Sequence, residues 1–194
     1  YEILRCLVGS EMCIRDSLKE ALSNSDVVFI AVGTPMNEDG SVDLSYINQV
    51  ANEIGKTIDH DCLVVVKSTV PVGTTFKIKE IIDNELKERG LDLNIQIASN
   101  PEFLKEGTAI DDCMHPDRVI IGAESDGVFD KLKELYAPFI VNHDRFILMD
   151  VKSSEMTKYV SNAMLATKIS FMNEIANICE VTGANVKDLS LIHI

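Results

Sequence analysis

The chain has 194 residues, 46% of them apolar and 25% charged, and its 18 Lys and Arg against 31 Asp and Glu give a formal net charge of -13. That size allows one well-filled core, or one domain and a piece of another. The acidic balance excludes a general nucleic-acid or anionic-membrane surface, both of which need clustered Lys and Arg, while leaving room for a local basic pocket around a phosphorylated ligand.

The first stretch, Tyr1-Glu-Ile-Leu-Arg-Cys-Leu-Val-Gly-Ser-Glu-Met-Cys-Ile-Arg-Asp-Ser17, lacks an initiator Met and follows neither a helical nor a strand period. Together with Leu189-Ser-Leu-Ile-His-Ile194 it reads like translated adapter sequence, so residues 1–17 and 189–194 are expected to be non-native tails around a natural segment. From there, strands alternate with helices. Asp26–Val32 is a short β-branched run that suits a buried strand, and Gly33-Thr-Pro35 breaks it. Leu44, Ile47, Ala51, Ile54 and Ile58 follow at helical spacing, with Asp43 as the expected cap. Cys62–Lys67 is a second strand, Phe76–Leu86 a helix stopped at Gly90, and Asn94–Ala98 a third strand. Arg118–Ile121 and Arg145–Met149 read as further strands, with Val128–Phe139 a helix between them. From about Lys152 to Val181 the helical pattern is unbroken, up to Gly183. Its apolar residues, among them Met156, Tyr159, Val160, Met164, Phe171, Met172, Ile178 and Cys179, spread around the circumference, which predicts burial on several sides and a role in joining domains or subunits. The fold class is therefore α/β: a partial Rossmann-like parallel sheet with flanking helices (residues 18–150), followed by a long central helix (residues 151–188).

The five cysteines form no CxxC pair and no Cys/His group at metal spacing, so they read as reduced thiols and no metal site is expected. No apolar run reaches the roughly 18 residues of a membrane span, and nothing has the layout of a signal peptide, so the expected setting is the cytoplasm.

The residues that suggest chemistry cluster at strand ends. Gly33-Thr34-Pro35, Ser68-Thr69-Val70-Pro71 and Ser99-Asn100-Pro101 each close a strand with hydroxyls or amides and a Pro, and in a parallel sheet these ends share one edge, where α/β proteins bind ligands. After the third, Glu102 and Glu106 are placed one turn apart on an expected helix. Lys158 and Asn162, four apart in the long helix, are polar residues in an apolar setting and are read as facing a ligand.

These same motifs carry a resemblance. Ala31-Val-Gly-Thr-Pro35 with Asp39-Gly-Ser-Val-Asp-Leu44, Lys67-Ser-Thr-Val-Pro-Val-Gly-Thr74, Ser99-Asn-Pro-Glu-Phe-Leu-Lys-Glu-Gly107, Pro116-Asp-Arg-Val-Ile-Ile-Gly122 and Lys158-Tyr-Val-Ser-Asn162 resemble the UDP-glucose/GDP-mannose dehydrogenase family over nearly all of Leu18 to Asp188. The resemblance implies an NAD-dependent oxidation of the C6 alcohol of UDP-glucose to UDP-glucuronate in two hydride transfers, through a thiohemiacetal and a thioester on a cysteine that water then releases. It implies Glu102 as the acid/base that activates this water, Thr69 as the hydroxyl that orders it, and Lys158 with Asn162 as the pair that stabilises the oxyanion at C6. Thr34, Pro35, Ser68, Thr69, Val70 and Glu106 match NAD contacts, and Glu102, Phe103, Leu104, Lys105 and Glu106 match the nucleotide-sugar site, along with Lys158 and Asn162. A homodimer through the long helix is expected in the full-length enzyme. Relatives that oxidise UDP-N-acetylmannosamine or GDP-mannose are the alternative within the family, and a non-catalytic nucleotide-binding or dimerisation module is the alternative outside it. Two family features are absent from the sequence: the G-x-G-x-x-G turn that holds the NAD pyrophosphate, and the nucleophilic cysteine expected after Asp188. The chain as written is therefore expected not to turn over substrate.

Overall fold

The computed structural model describes residues 17–140 and 145–190. Nearly all of the first proposed tail, most of the second, and Cys6 and Cys13 lie outside these residues. Ser17, at the boundary, accepts a hydrogen bond from the Glu20 amide at 3.4 Å and caps the first helix.

The chain divides into two compact units, one ending at Glu155 and one beginning at Met156. The first contains α1 (Leu18–Leu22), β1 (Val27–Ile30), α2 (Ser45–Thr57), β2 (Cys62–Val66), α3 (Thr74–Glu88), β3 (Ile95–Ser99), α4 (Ala109–Met114), β4 (Val119–Gly122), α5 (Asp126–Tyr136) with a 3-10 turn at Ala137–Phe139, and β5 (Phe146–Met149). Helix α6 (Val151–Thr182) begins in the first unit and runs through the second, which also holds α7 (Val186–Ser190). Each expected strand and helix is present with its ends shifted by a few residues, except the helix expected to carry Glu102 and Glu106, which does not form. At the start of α2, Asp43 does not occupy the cap position, which is Leu44; its carboxylate instead accepts the Ser45 amide at 2.8 Å from one residue further out.

The five strands lie in chain order in one sheet. Strands β1, β2 and β3 are parallel, with Ile30 opposite Val66 and Val66 opposite Ser99. Strands β4 and β5 are parallel to each other, but β4 meets β3 antiparallel, at Ser99 and Gly122. The expectation of a parallel sheet thus holds for two blocks and reverses between them. A parallel return needs a crossover packed on the sheet. The connection from β3 to β4 has only α4, a six-residue helix with no buried side chain, so it cannot supply one.

Strand β2 is buried on both faces, which explains its unbroken apolar run. Val64 and Val66 join Ile47, Ala51, Ile54, Ile78 and Ile82 beneath α2 and α3, whereas Leu63 and Val65 join Ala98, Ile121, Val128 and Leu132 beneath α5. Helices α2 and α3 are also tied at their ends. The Arg89 guanidinium donates through Nη1 to the carbonyls of Gly55 and Ile58, both at 2.6 Å, closing the C-terminus of α2, where a cation also suits the helix dipole. Arg89→Ala is expected to destabilise the fold by about 1.5 kcal/mol, the lower range for hydrogen bonds to a charged donor, read as a lowered urea midpoint with unchanged slope.

The central helix departs from expectation in its burial. Met156, Val160, Met164, Leu165, Ile169, Phe171 and Ile178 are all at least half exposed in the single chain, while Cys179 is buried. Among the described residues, much of the apolar circumference of α6 is therefore exposed.

Candidate functional site

The C-terminal ends of β1, β2 and β3 do converge, and hydrogen bonds lace them together. Ile30 O accepts the amides of Lys67 and Ser68 at 2.9 and 3.2 Å, and Val66 O accepts that of Asn100 at 2.9 Å. Side chains continue the lacing. The Ser68 hydroxyl donates to Val32 O at 2.7 Å, and the Thr34 hydroxyl donates to Thr69 O at 3.0 Å. Thr34, Ser68 and Thr69 are thereby held side by side, all half-buried, with Pro35 exposed beside them. Val70 is only 3% exposed and packs into the core under α2 and α3, so its backbone alone remains for a ligand. Next to this edge lies an open groove of about 480 Å³, lined by Val32, Gly33, Pro35, Tyr46, Gln49 and Val50. Its walls are mostly apolar, with one aromatic ring and one amide.

Behind the edge sits a polar cluster that links the ends of β2 and β3 to β4 and α5. The Asn100 side-chain oxygen accepts from Lys67 Nζ at 3.3 Å and from the Tyr136 hydroxyl at 2.5 Å, and its Nδ2 donates to Ile120 O at 2.8 Å. Burial pushes the Tyr136 phenol up to about 12, so it stays protonated and donates at neutral pH. Asn100 is itself buried, which fixes the backbone from which Pro101 and Glu102 emerge.

Glu102 and Glu106 do not share a helical face. Residues 101–105 form neither helix nor strand and 106–108 form a turn, with the helix beginning only at Ala109. Three local causes oppose a helix here. Pro101 forces Asn100 out of the α region. The Glu102 carboxylate accepts the Leu104 amide at 2.7 Å, an alternative to helical pairing. Gly107 takes the left-handed conformation at φ 87, which turns the chain. Glu102 is half-buried whereas Glu106 is exposed. Lys105 is engaged by Asp112: its amide donates to Oδ2 at 2.9 Å and its ammonium lies 3.2 Å from Oδ1. The Lys105 amide is the main cause that holds the Asp112 carboxyl below the ordinary carboxylate range. The Phe103 ring lies under the Arg118 guanidinium, 4.8 Å from centroid to Cζ, a cation–π contact that steadies the segment. Leu104 is exposed at 39%.

Lys158 and Asn162 lie on α6 in the second unit, one turn apart as expected; Lys158 is 8% exposed and Asn162 is exposed. Three participants escaped the sequence reading: Tyr136, Arg118 and Glu155. For Glu155 a signal existed. Val151, Ser154, Glu155 and Lys158 are spaced i, i+3, i+4 and i+7, and all four are buried. The buried stripe of the first turns of α6 is mostly polar, and a pattern of apolar positions does not show it.

Residues 3–140 match the UDP-glucose/GDP-mannose dehydrogenase family, NAD binding domain, and residues 152–192 match the central domain of the same family. The chain belongs to this family. It is 52% identical over 183 residues to the UDP-glucose 6-dehydrogenase of Pseudomonas aeruginosa, covering 94% of this chain and 40% of that protein. With the UDP-glucose 6-dehydrogenase of Bacillus subtilis it shares 47% identity over 171 residues, 88% of this chain and 38% of the relative. Among solved structures, a UDP-glucose dehydrogenase from Pyrobaculum islandicum superposes with a TM-score of 0.81 at 36% identity, over 96% of this chain and 43% of that one. A ternary complex of GDP-mannose dehydrogenase from Pseudomonas aeruginosa gives a TM-score of 0.80 at 35% identity, over 90% and 40% of the two chains. The chain thus spans about two fifths of the length of the curated relatives it matches.

Proposed function

We propose that this chain forms the cofactor-side part of an NAD-dependent UDP-glucose 6-dehydrogenase, with residues 18–150 contributing to the NAD-binding domain and residues 151–188 the long helix that opens the central domain. The observation that carries the reading is the laced edge of β1, β2 and β3, where hydrogen bonds hold Thr34, Ser68 and Thr69 together and the Asn100 amide joins Val66 O just before Pro101. The residues present suit a dinucleotide. Gly33 leaves open space where a side chain would project, with no atom within 4 Å of a Cβ built there, and the groove beside it offers apolar walls and the half-exposed Tyr46 ring for a planar base. NAD, when bound, supplies the hydride acceptor.

The protein's own residues do the rest of the work in this reading. Thr34, Pro35, Ser68, Thr69, the Val70 backbone and Glu106 hold the cofactor. Phe103, Leu104 and Lys105 line the nucleotide-sugar site with the two glutamates. Glu102 takes the proton of the hydrolytic water, Thr69 orders that water, and Lys158 with Asn162 meets the negative charge that develops at the C6 oxygen. The exposed apolar residues of α6 are proposed to be covered in a homodimer, and the setting to be the cytoplasm, consistent with Cys62, Cys113 and Cys179 as free thiols. Among the described residues no helix is long and apolar enough to cross a membrane.

The likeness to a GDP-mannose dehydrogenase structure favours one second reading, a different nucleotide sugar on the same site. A full-length protein carrying this segment, given UDP-glucose and NAD, is expected to form two NADH per UDP-glucuronate. Turnover with GDP-mannose or UDP-N-acetylmannosamine but not UDP-glucose would replace the substrate, and no turnover with any of the three would sink the enzymatic reading.

A further inference from the structure

Glu155 is a buried carboxylate, 3% exposed, to which the proposed reaction gives no task. Its Oε1 accepts the Thr75 amide at 2.8 Å and the Thr75 hydroxyl at 2.7 Å, and its Oε2 accepts the Gly73 amide. Gly73 and Thr75 open α3, where the first amides have no partner within the helix and the dipole favours a negative charge. The carboxylate therefore fills the helix N-terminus that follows β2, and an external anion cannot use it.

The consequence falls on the loop between β2 and α3, residues Ser68 to Gly73. Its entry is held by the Ser68 hydroxyl on Val32 O and by Thr69 O, which receives the Thr34 hydroxyl. Its exit is held by the Thr74 hydroxyl on Pro71 O at 2.6 Å, by the left-handed Gly73 at φ 90, and by Glu155. A short loop pinned at both ends has little freedom left to lose when a ligand arrives, and preorganisation of this kind strengthens binding without adding a contact.

We propose that Glu155 is a positioning residue for cofactor binding: by gripping the Gly73 and Thr75 amides it sets the Ser68–Gly73 loop, and with it Thr69, in the geometry that receives NAD. This assignment rests on the NAD reading of the strand-end edge. Glu155→Gln keeps the shape but loses the charge, and it turns an amide N–H₂ toward donors that need an acceptor. Ser154 provides the control. It is equally buried and adjacent, but its hydroxyl donates to Ser99 Oγ at 3.0 Å, tying α6 to β3 rather than to the loop.

The test is calorimetric titration of NAD into a full-length protein carrying this segment, with amide hydrogen exchange on the same samples. Glu155→Gln is expected to weaken NAD binding by roughly tenfold, the scale of a lost charged hydrogen bond, and to speed exchange at Thr69, Val70 and Val72 while leaving β3 protected. Glu155→Asp should recover part of the affinity, and Ser154→Ala should bind as wild type even where its melting temperature falls as far. Affinity of Glu155→Gln within about twofold of wild type would overturn the inference, as would equal weakening by Ser154→Ala, which would mark a general loss of stability. Should Glu155→Gln fail to fold, unchanged affinity in Glu155→Asp overturns it instead, since that shorter side chain cannot span the same donors. A full-length wild-type protein that binds no NAD would sink the cofactor reading and this role together.

Discussion

Gly122→Ala is expected to destabilise the fold by about 3 kcal/mol, near the upper range for overpacking, and to lower the melting temperature by roughly 6–12 °C in a chain of this size. The reason is a contact that leaves no room for a methyl group. A Cβ at Gly122 would stand 2.3 Å from Ser154 Cβ, 2.9 Å from Ser154 Oγ and 3.0 Å from Asp150 O. Two of those atoms belong to rigid parts of the first turn of α6, so no side-chain rotation relieves the clash. Gly122 is also the residue at which β4 meets β3, opposite Ser99, and Ser154 donates its hydroxyl to Ser99. Lifting the helix to admit the methyl group would therefore break the contact that seats it on the sheet. Adding Ser154→Gly removes the two nearest colliding atoms and leaves only Asp150 O, and the double variant should melt higher than the sum of the single losses predicts, with a coupling of at least about 1 kcal/mol. A thermal melt of Gly122→Ala that matches wild type would mean that the helix yields freely and that the close approach carries no constraint.

That junction also marks where the sequence stops being readable. The strands and helices were legible because burial imposes a period: β2 is apolar throughout since both faces are covered, and Ile47, Ala51, Ile54 and Ile58 repeat at helical spacing because α2 covers one face. The alignment of the three strand ends was legible too, since it follows from parallel pairing alone. The reversal between β3 and β4 was not, because nothing in Val119–Gly122 distinguishes a strand running one way from one running the other. At Glu102 and Glu106 the helical spacing misled, since the Asn-Pro junction, the Glu102 contact to the Leu104 amide and the turn at Gly107 outweigh it locally. The polar cluster of Lys67, Asn100 and Tyr136 joins residues 36 and 69 positions apart, and such pairings exist only once the sheet has formed. Of the buried polar residues in α6, Lys158 stood out as a cation in an apolar setting, whereas Ser154 and Glu155 did not, since a count of apolar positions cannot register them.

The largest functional effect is expected at Glu102. In a full-length protein carrying this segment, Glu102→Gln should lower kcat by about 10²–10⁴-fold, the contribution of a positioned general base, with little change in KM. Glutamine keeps the shape and an oxygen that can still accept the Leu104 amide, so the 102–104 turn persists and the loss reports on the proton rather than on the loop. The family resemblance assigns that proton to the water that releases the acid from its thioester, after both hydride transfers. A rapid-mixing experiment should then give a burst approaching two NADH per site, followed by a slow phase. Glu106→Gln is the matched comparison: Glu106 is exposed and makes no such contact in the turn, and its expected effect is a raised KM for NAD at nearly unchanged kcat. Slow turnover of Glu102→Gln without a burst would move Glu102 to the first oxidation, where a base is needed at the C6 hydroxyl. Full activity would remove Glu102 from the role of base, and the search for the base would pass to other residues.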